Sequence, residues 1–307
     1  MVTESLHPRR PAARLASGAD PPHHGHMGVP WSAIDRGTRL FWRTVGRRID
    51  PDGAQSWLAA PSNPVGAGGD AWLEQWERAG RVGAGTADDG LIPDIGALDG
   101  PDFRSADLHP LVRDFYEHTG AYRMDVWSQW SAVFAPGGEA VARLFGRRVE
   151  QLALPVQPLA VSRGMTSRVR PVLDAEGERA GTAWLRTLGA DGSSVYSGYY
   201  RVGGTPGDPQ PHVHVSFPLE EGNVQVFLTP RAERDGALTL LSRGETFGRD
   251  GAYITVRSGG DWYAARARLR ERFRVFVDEQ GVLRTDHWLS VRSRPALQLH
   301  YRLERLD

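Results

Sequence analysis

The chain has 307 residues, 40% of them hydrophobic and 24% charged, and its 37 basic residues balance 37 acidic ones. That length holds one large domain or two small ones and buries a core without covalent staples. Cysteine is absent and every basic residue is Arg, which excludes disulfides, thiolate nucleophiles, Cys-ligated zinc, Schiff-base lysines and the P-loop lysine, while the neutral balance gives no reason to make nucleic acid a partner.

Residues 1–28 read as a disordered tail, rich in Pro, Ala, Arg and His and without an apolar period. They lack the apolar stretch of roughly 7–15 residues that a signal peptide needs. No run in the chain approaches the ~18 apolar residues of a membrane span. The expectation is a cytoplasmic protein without a membrane span. His23, His24 and His26 could ligate a metal, but a disordered tail supplies no fixed geometry.

Residues 29–105 form an aromatic-rich helical and irregular region carrying Trp31, Trp42, Trp57, Trp72 and Trp76. Short helices are predicted over 31–47 and 69–79, the second capped by Asp70 and stopped by Gly80. The run holding Asp88, Asp89, Asp94, Asp99, Asp102 and Asp107 reads as a solvated connector.

Residues 106–307 are predicted as a helix-plus-β-barrel domain. A helix over 107–120 begins at Asp107, with Leu111, Phe115 and His118 on one side. Residues 121–131 alternate as a strand. Residues 137–152 return to helical spacing through Val141, Leu144, Phe145, Val149 and Leu152. After residue 160 short β-type runs follow one another near 164–173, 180–188, 193–202, 211–219, 223–229, 236–243, 251–257, 262–277, 282–292 and 296–304. The turns DAEG, GADG, EEGN, RDG and DEQG separate them. The predicted class is α+β, mainly antiparallel β: a calycin-like up-and-down barrel of about ten strands preceded by a short-helix N-terminal region. Two packed sheets are the alternative.

Three features carry chemistry. His212 and His214 sit two residues apart on a strand and could share a metal. Their parity opposes Val213, Val215 and Phe217, so both should face away from the interior, and no third ligand can be named; the expectation is no metal and no cofactor. Arg266, Arg268, Arg270, Arg272 and Arg274 alternate along one strand face, either as a solvated outer ladder or as an anion site. Glu271 falls on the apolar parity of that strand, and His287 on that of the next. The turn Asp278-Glu279-Gln280-Gly281 predicts a register that pairs Phe273 with His287 and Glu271 with Leu289. Glu271 and His287 then become diagonal neighbours inside the barrel, suited to polar recognition or acid–base work. A buried structural pair is the bland reading. Among the strand aromatics, Tyr199 and Trp184 are the candidate ligand contacts, with core packing as their bland reading.

The blocks HPLVRDFYEHTGAYRMDVWSQW, FGRRVEQLALP, VQVFLTP, DGALTLLS and LQLHYRL resemble the soluble region of the YndJ-type multipass membrane proteins of Gram-positive bacteria, and stand-alone actinobacterial homologues. The resemblance covers about residues 109–304. It implies no catalytic residues, because that family carries no assigned chemistry.

The leading functional expectation is a binding barrel for a small apolar molecule, lipid-like or polyketide-like, anchored by Glu271, His287, Tyr199 and Trp184. A cofactor-independent isomerase or cyclase would use Glu271 and His287 in the same cavity. An interaction protein would instead have a filled core.

Overall fold

The computed structural model describes residues 39–67, 69–131, 165–188 and 194–306. The expectations for the tail at 1–28, its His cluster and the helix at 137–152 lie outside the described residues. Residues 39–45 are helical, and two further helices follow, α1 (Ala71–Arg78) and α2 (Pro110–Glu117). The first strands are β1 (Arg47–Ile49), β2 (Tyr122–Trp130), β3 (Met165–Leu173) and β4 (Arg179–Leu188). Next come β5 (Ser194–Thr205), β6 (Asp208–Leu219), β7 (Gly222–Ala232), β8 (Leu238–Leu241) and β9 (Gly251–Ser258). The last are β10 (Asp261–Arg266), β11 (Leu269–Val277), β12 (Leu283–Val291) and β13 (Arg294–Arg305).

Every pairing between these strands is antiparallel, in the order β1-β10-β9-β7-β6-β5-β4-β3-β2-β13-β12-β11-β8, and an additional β7–β8 pairing closes the ring. The closed barrel therefore has ten strands, β2 to β8 and β11 to β13. Closure satisfies the edges that an open sheet would expose. The predicted strand count holds, but the membership differs. β2, from the helical half of the sequence, enters the barrel. β9 and β10 leave it as a wing on the first half of β7, where Gly222 to Phe227 pair with β9 while Thr229 to Ala232 pair with β8. The run predicted as one strand over 262–277 is two strands, interrupted at Ala267 and Arg268, because one part serves the wing and the other the barrel. The wing's far edge is covered by β1.

Inward parity follows the hydrophobic pattern. Met124, Val126, Val213, Val215, Val226, Leu228, Leu238, Leu240, Leu299 and Leu303 belong to one buried cluster. The segment predicted as a solvated acidic connector is instead the cap of one barrel end. Its Leu91, Ile92, Ile95, Leu98 and Phe103 join that cluster with Val112, Phe115 and Tyr116 of α2. Its carboxylates close turns: Asp94 accepts from Gly96 N at 2.8 Å and Asp89 from Thr86 N at 2.7 Å. Short 3₁₀ turns place apolar residues inward without any helical period, which is why the pattern is hidden. α2 starts at His109, whose Nδ1 accepts from Leu111 N, and not at Asp107. It buries Val112, Phe115 and Tyr116 and leaves Leu111 at the surface, a stripe one residue away from the predicted one.

Residues 49–83 cover the outer wall over β3 to β7. Trp72 of α1 is fully buried with Leu73, Val172, Ala183, Leu185 and Tyr199. Asp70 occupies the N-cap position as predicted but makes no side-chain capping bond; Trp72 N bonds instead to Asn63 Oδ1 at 2.7 Å. Gly80, with φ of +71°, turns the chain out of α1 as predicted.

Candidate functional site

The site is built on the β11–β12 hairpin. Gly281 takes the left-handed conformation at φ +76°, and Asp278 Oδ1 accepts from Gln280 N and Val282 N at 3.0 and 2.9 Å. This turn sets the register Val277↔Leu283, Phe273↔His287 and Glu271↔Leu289. Glu271 and His287 share the inward parity with Leu269, Phe273 and Leu289, which pack against the main core. His287 Nε2 lies 3.2 Å from Glu271 Oε2, and the two side chains are 14% and 15% exposed. The imidazole stacks on the Phe273 ring at 3.8 Å between centroids. An acid and an imidazole in hydrogen-bond contact, held by a ring on one side and still touched by solvent, can bind a polar group or pass a proton.

The other two candidates separate. Trp184 faces inward, donates Nε1–H to Ser167 Oγ at 2.7 Å and meets Tyr200 edge-on at 5.4 Å. Tyr199 faces outward. It lies under α1 at 6.3 Å from both Trp72 and Trp76, and its hydroxyl donates to Ala180 O at 2.8 Å. The structure therefore places Tyr199 on the opposite side of the wall from Trp184, Glu271 and His287. Its neighbour Tyr200 takes the inward position, because β4 and β5 are buried on both faces and parity alone does not say which face is inner.

Two inward residues were not singled out from the sequence. Arg186 is buried, with its guanidinium 4.0 Å from the Trp184 ring centroid and 5.7 Å from that of Tyr301. Trp130 is half-buried, and its indole Nε1 has no hydrogen-bond partner among the described residues. The signal was present as spacing: Trp130 continues Met124, Val126 and Ser128, and Arg186 follows Trp184 by two.

His212 and His214 face away from the interior, as their parity predicts, yet neither reaches solvent: both are fully buried. The 57–61 segment, which begins in a short 3₁₀ turn, lies over the His214 network. His214 Nδ1 accepts from Arg201 Nε at 2.8 Å, and its Nε2 bonds to Gln225 Oε1 at 2.8 Å. The ring stacks on Phe227 at 4.1 Å. Burial, and then the Arg201 charge, push its pKa well below the ordinary value. Arg201, Gln225 and Asn223 donate in turn to the carbonyls of residues 57 to 61. His212 has no ring hydrogen bond among the described residues, with Asp208 Oδ2 3.9 Å away. Burial lowers its pKa against the opposing pull of Asp208 and Asp250. Among the described residues no group of three or more His, Asp or Glu is placed to hold a metal ion.

The Arg ladder is mostly neutralised from loops. Arg266 donates to Thr246 O, Asp250 O and Tyr253 Oη. Arg270 pairs with Glu245, and Arg274 pairs with Glu233 and Asp235.

These features define a class: a closed antiparallel β-barrel, capped at one end, with a carboxylate–imidazole pair on its inner wall. Its sequence is similar to the "Uncharacterized membrane protein YndJ" of Bacillus subtilis, with 26% identity over 220 residues, 71% of this chain and 38% of that protein. The similarity is to the kind of protein that the sequence blocks resemble, and the chain spans well under half the length of this relative. No protein-family model matches the chain. No solved structure matches it either, so the barrel stands as observed and a calycin relationship is not shown. No helix among the described residues is long and apolar enough to cross a membrane.

Proposed function

We propose that the barrel is a cytoplasmic binding module for a small, mainly apolar molecule, entered at the end opposite the helical cap, with Glu271 and His287 as its polar anchor. One observation carries this reading: an acid–imidazole pair at 3.2 Å on the inward face, where neighbouring inward residues keep partial exposure. Leu269, Phe273 and Leu289 supply apolar wall beside it, and Trp130 Nε1 supplies a donor still to be satisfied. A few convergent polar groups on an apolar lining are what small-molecule sites present. The same pair would serve an isomerase or cyclase without a cofactor.

The test is native mass spectrometry of the chain purified from its host, beside Glu271→Gln. The reading expects a retained small molecule that the variant loses while its fold is kept. A purely structural pair would instead show no retained molecule and a stability change of about 1–3 kcal/mol in the variant. That result would favour an interaction protein with a filled core. The continuous cluster running from the cap through the strands supports this second reading.

A further inference from the structure

Outside the barrel, against the β8–β11 pairing, an open groove of about 470 Å³ is lined by Ser242, Arg243, Arg270, Arg272, Trp288 and Ser290, among others. That volume lies within the ~300–1,000 Å³ of small-molecule sites. Its floor is fixed: Glu271 N–H donates to Ser242 Oγ at 2.7 Å, and Ser242 N–H returns to Glu271 O at 3.0 Å. Positive charge is in excess. Three guanidiniums line the groove with two carboxylates. One of those, Glu271, turns its oxygens through the wall to His287 at 3.2 Å. The other, Glu245, is held by Arg270. Arg272 is 3.7 Å from Glu233, which is itself taken at 3.0 Å by Arg274. Arg243 is exposed, and its backbone N–H is pinned to Asp250 Oδ2 at 2.8 Å.

An aromatic wall stands beside this charge. Trp288 lies across from Arg272, whose guanidinium is 5.1 Å from the indole centroid. Guanidiniums bind phosphate in a bidentate fork, and the indole face that Arg272 covers is open to a flat ring once that guanidinium turns to the phosphate. We infer that this groove binds a small phosphate monoester carried on a flat ring, with Arg243 and Arg272 on the phosphate and Trp288 against the ring. The site lies outside the barrel wall and stands or falls independently of an interior ligand.

The experiment is calorimetric titration of the full chain with phenyl phosphate, inorganic phosphate, phenol and benzoate. Phenyl phosphate should bind more tightly than any of the other three. Arg272→Gln and Trp288→Leu should each weaken it by roughly tenfold or more. Glu245→Gln frees Arg270 and should tighten binding, a gain that a misfolded variant cannot imitate. Equal binding of phenyl phosphate and inorganic phosphate would overturn the ring contact. Benzoate binding as tightly as phenyl phosphate would overturn the phosphate assignment. No binding to either the unaltered chain or Glu245→Gln would overturn the site.

Discussion

On the outer wall, His214 accepts at Nδ1 from an Arg, a group that only donates, so its proton must sit on Nε2 and point to Gln225. Protonating Nδ1 would set two donors against each other in a fully buried place. His212, next but one on the same strand, is buried beside Arg249 and the opposing Asp208 and Asp250, and its pKa is lowered too. Burial therefore disfavours protonation of both rings in the folded chain, His214 most strongly, at a pH where the unfolded chain, titrating near the ordinary imidazole value of about 6.5, takes up protons. The unfolded state then binds more protons than the native state, so stability falls as pH drops below that value. The expected slope approaches about 1.4 kcal/mol per pH unit for His214, with a smaller addition from His212, whose shift the Asp208 and Asp250 carboxylates oppose. Thermal unfolding followed from about pH 7.5 to 5.5 should show this loss, and the double variant His212→Gln/His214→Gln should flatten it. A slope unchanged by the double variant would refute the assignment.

At the scale of elements, α1 is seated by Trp72 and Leu73, with Trp72 the larger anchor. Trp72 is fully buried, meets Tyr199 and Trp76 edge-on, and donates Nε1–H to Ser197 Oγ at 3.0 Å. Trp72→Ala is expected to cost about 3–5 kcal/mol in chemical denaturation, and Trp76→Ala, at a half-exposed position, clearly less. Equal costs would mean that α1 is anchored elsewhere. The strands after residue 160 were legible because alternation and Gly-closed turns are local signals. The β11–β12 register was legible for the same reason, since four residues, Asp278 to Gly281, set it. The split at Ala267 was not, because what breaks the strand is the change of partner from β9 to β8, a long-range event. The cap was hidden for a different reason: Leu91, Ile95, Leu98 and Phe103 fall on turns, where neither helical nor strand period applies.

For the whole molecule, the inward face of the candidate site was readable and its outward counterpart was not. Glu271 and His287 follow from parity on one hairpin. Tyr199 does not, because β4 and β5 are apolar on both faces once α1 is in place. The covering of the barrel is likewise a tertiary fact. Residues 57 to 61 present five consecutive backbone carbonyls, and the wall donates to all of them: Arg201 to 57 and 59, Gln225 to 58, Asn223 to 60 and 61.

This contact is made to main-chain atoms that every amino acid carries, so the two sides of the seam evolve under unequal constraint. Ala59 and Ala60, half-buried and engaged through their carbonyls, are free to drift. Arg201, half-buried, and Asn223 and Gln225, fully buried, are not, since they share a network with His214 and Thr255. In a saturation scan read by abundance in cells, most replacements at Ala59 and Ala60 should pass and most at Arg201, Asn223 and Gln225 should fail. Intolerance at the two alanines equal to that at the three donors would show that side-chain shape, and not the carbonyl ladder, fastens the segment to the barrel.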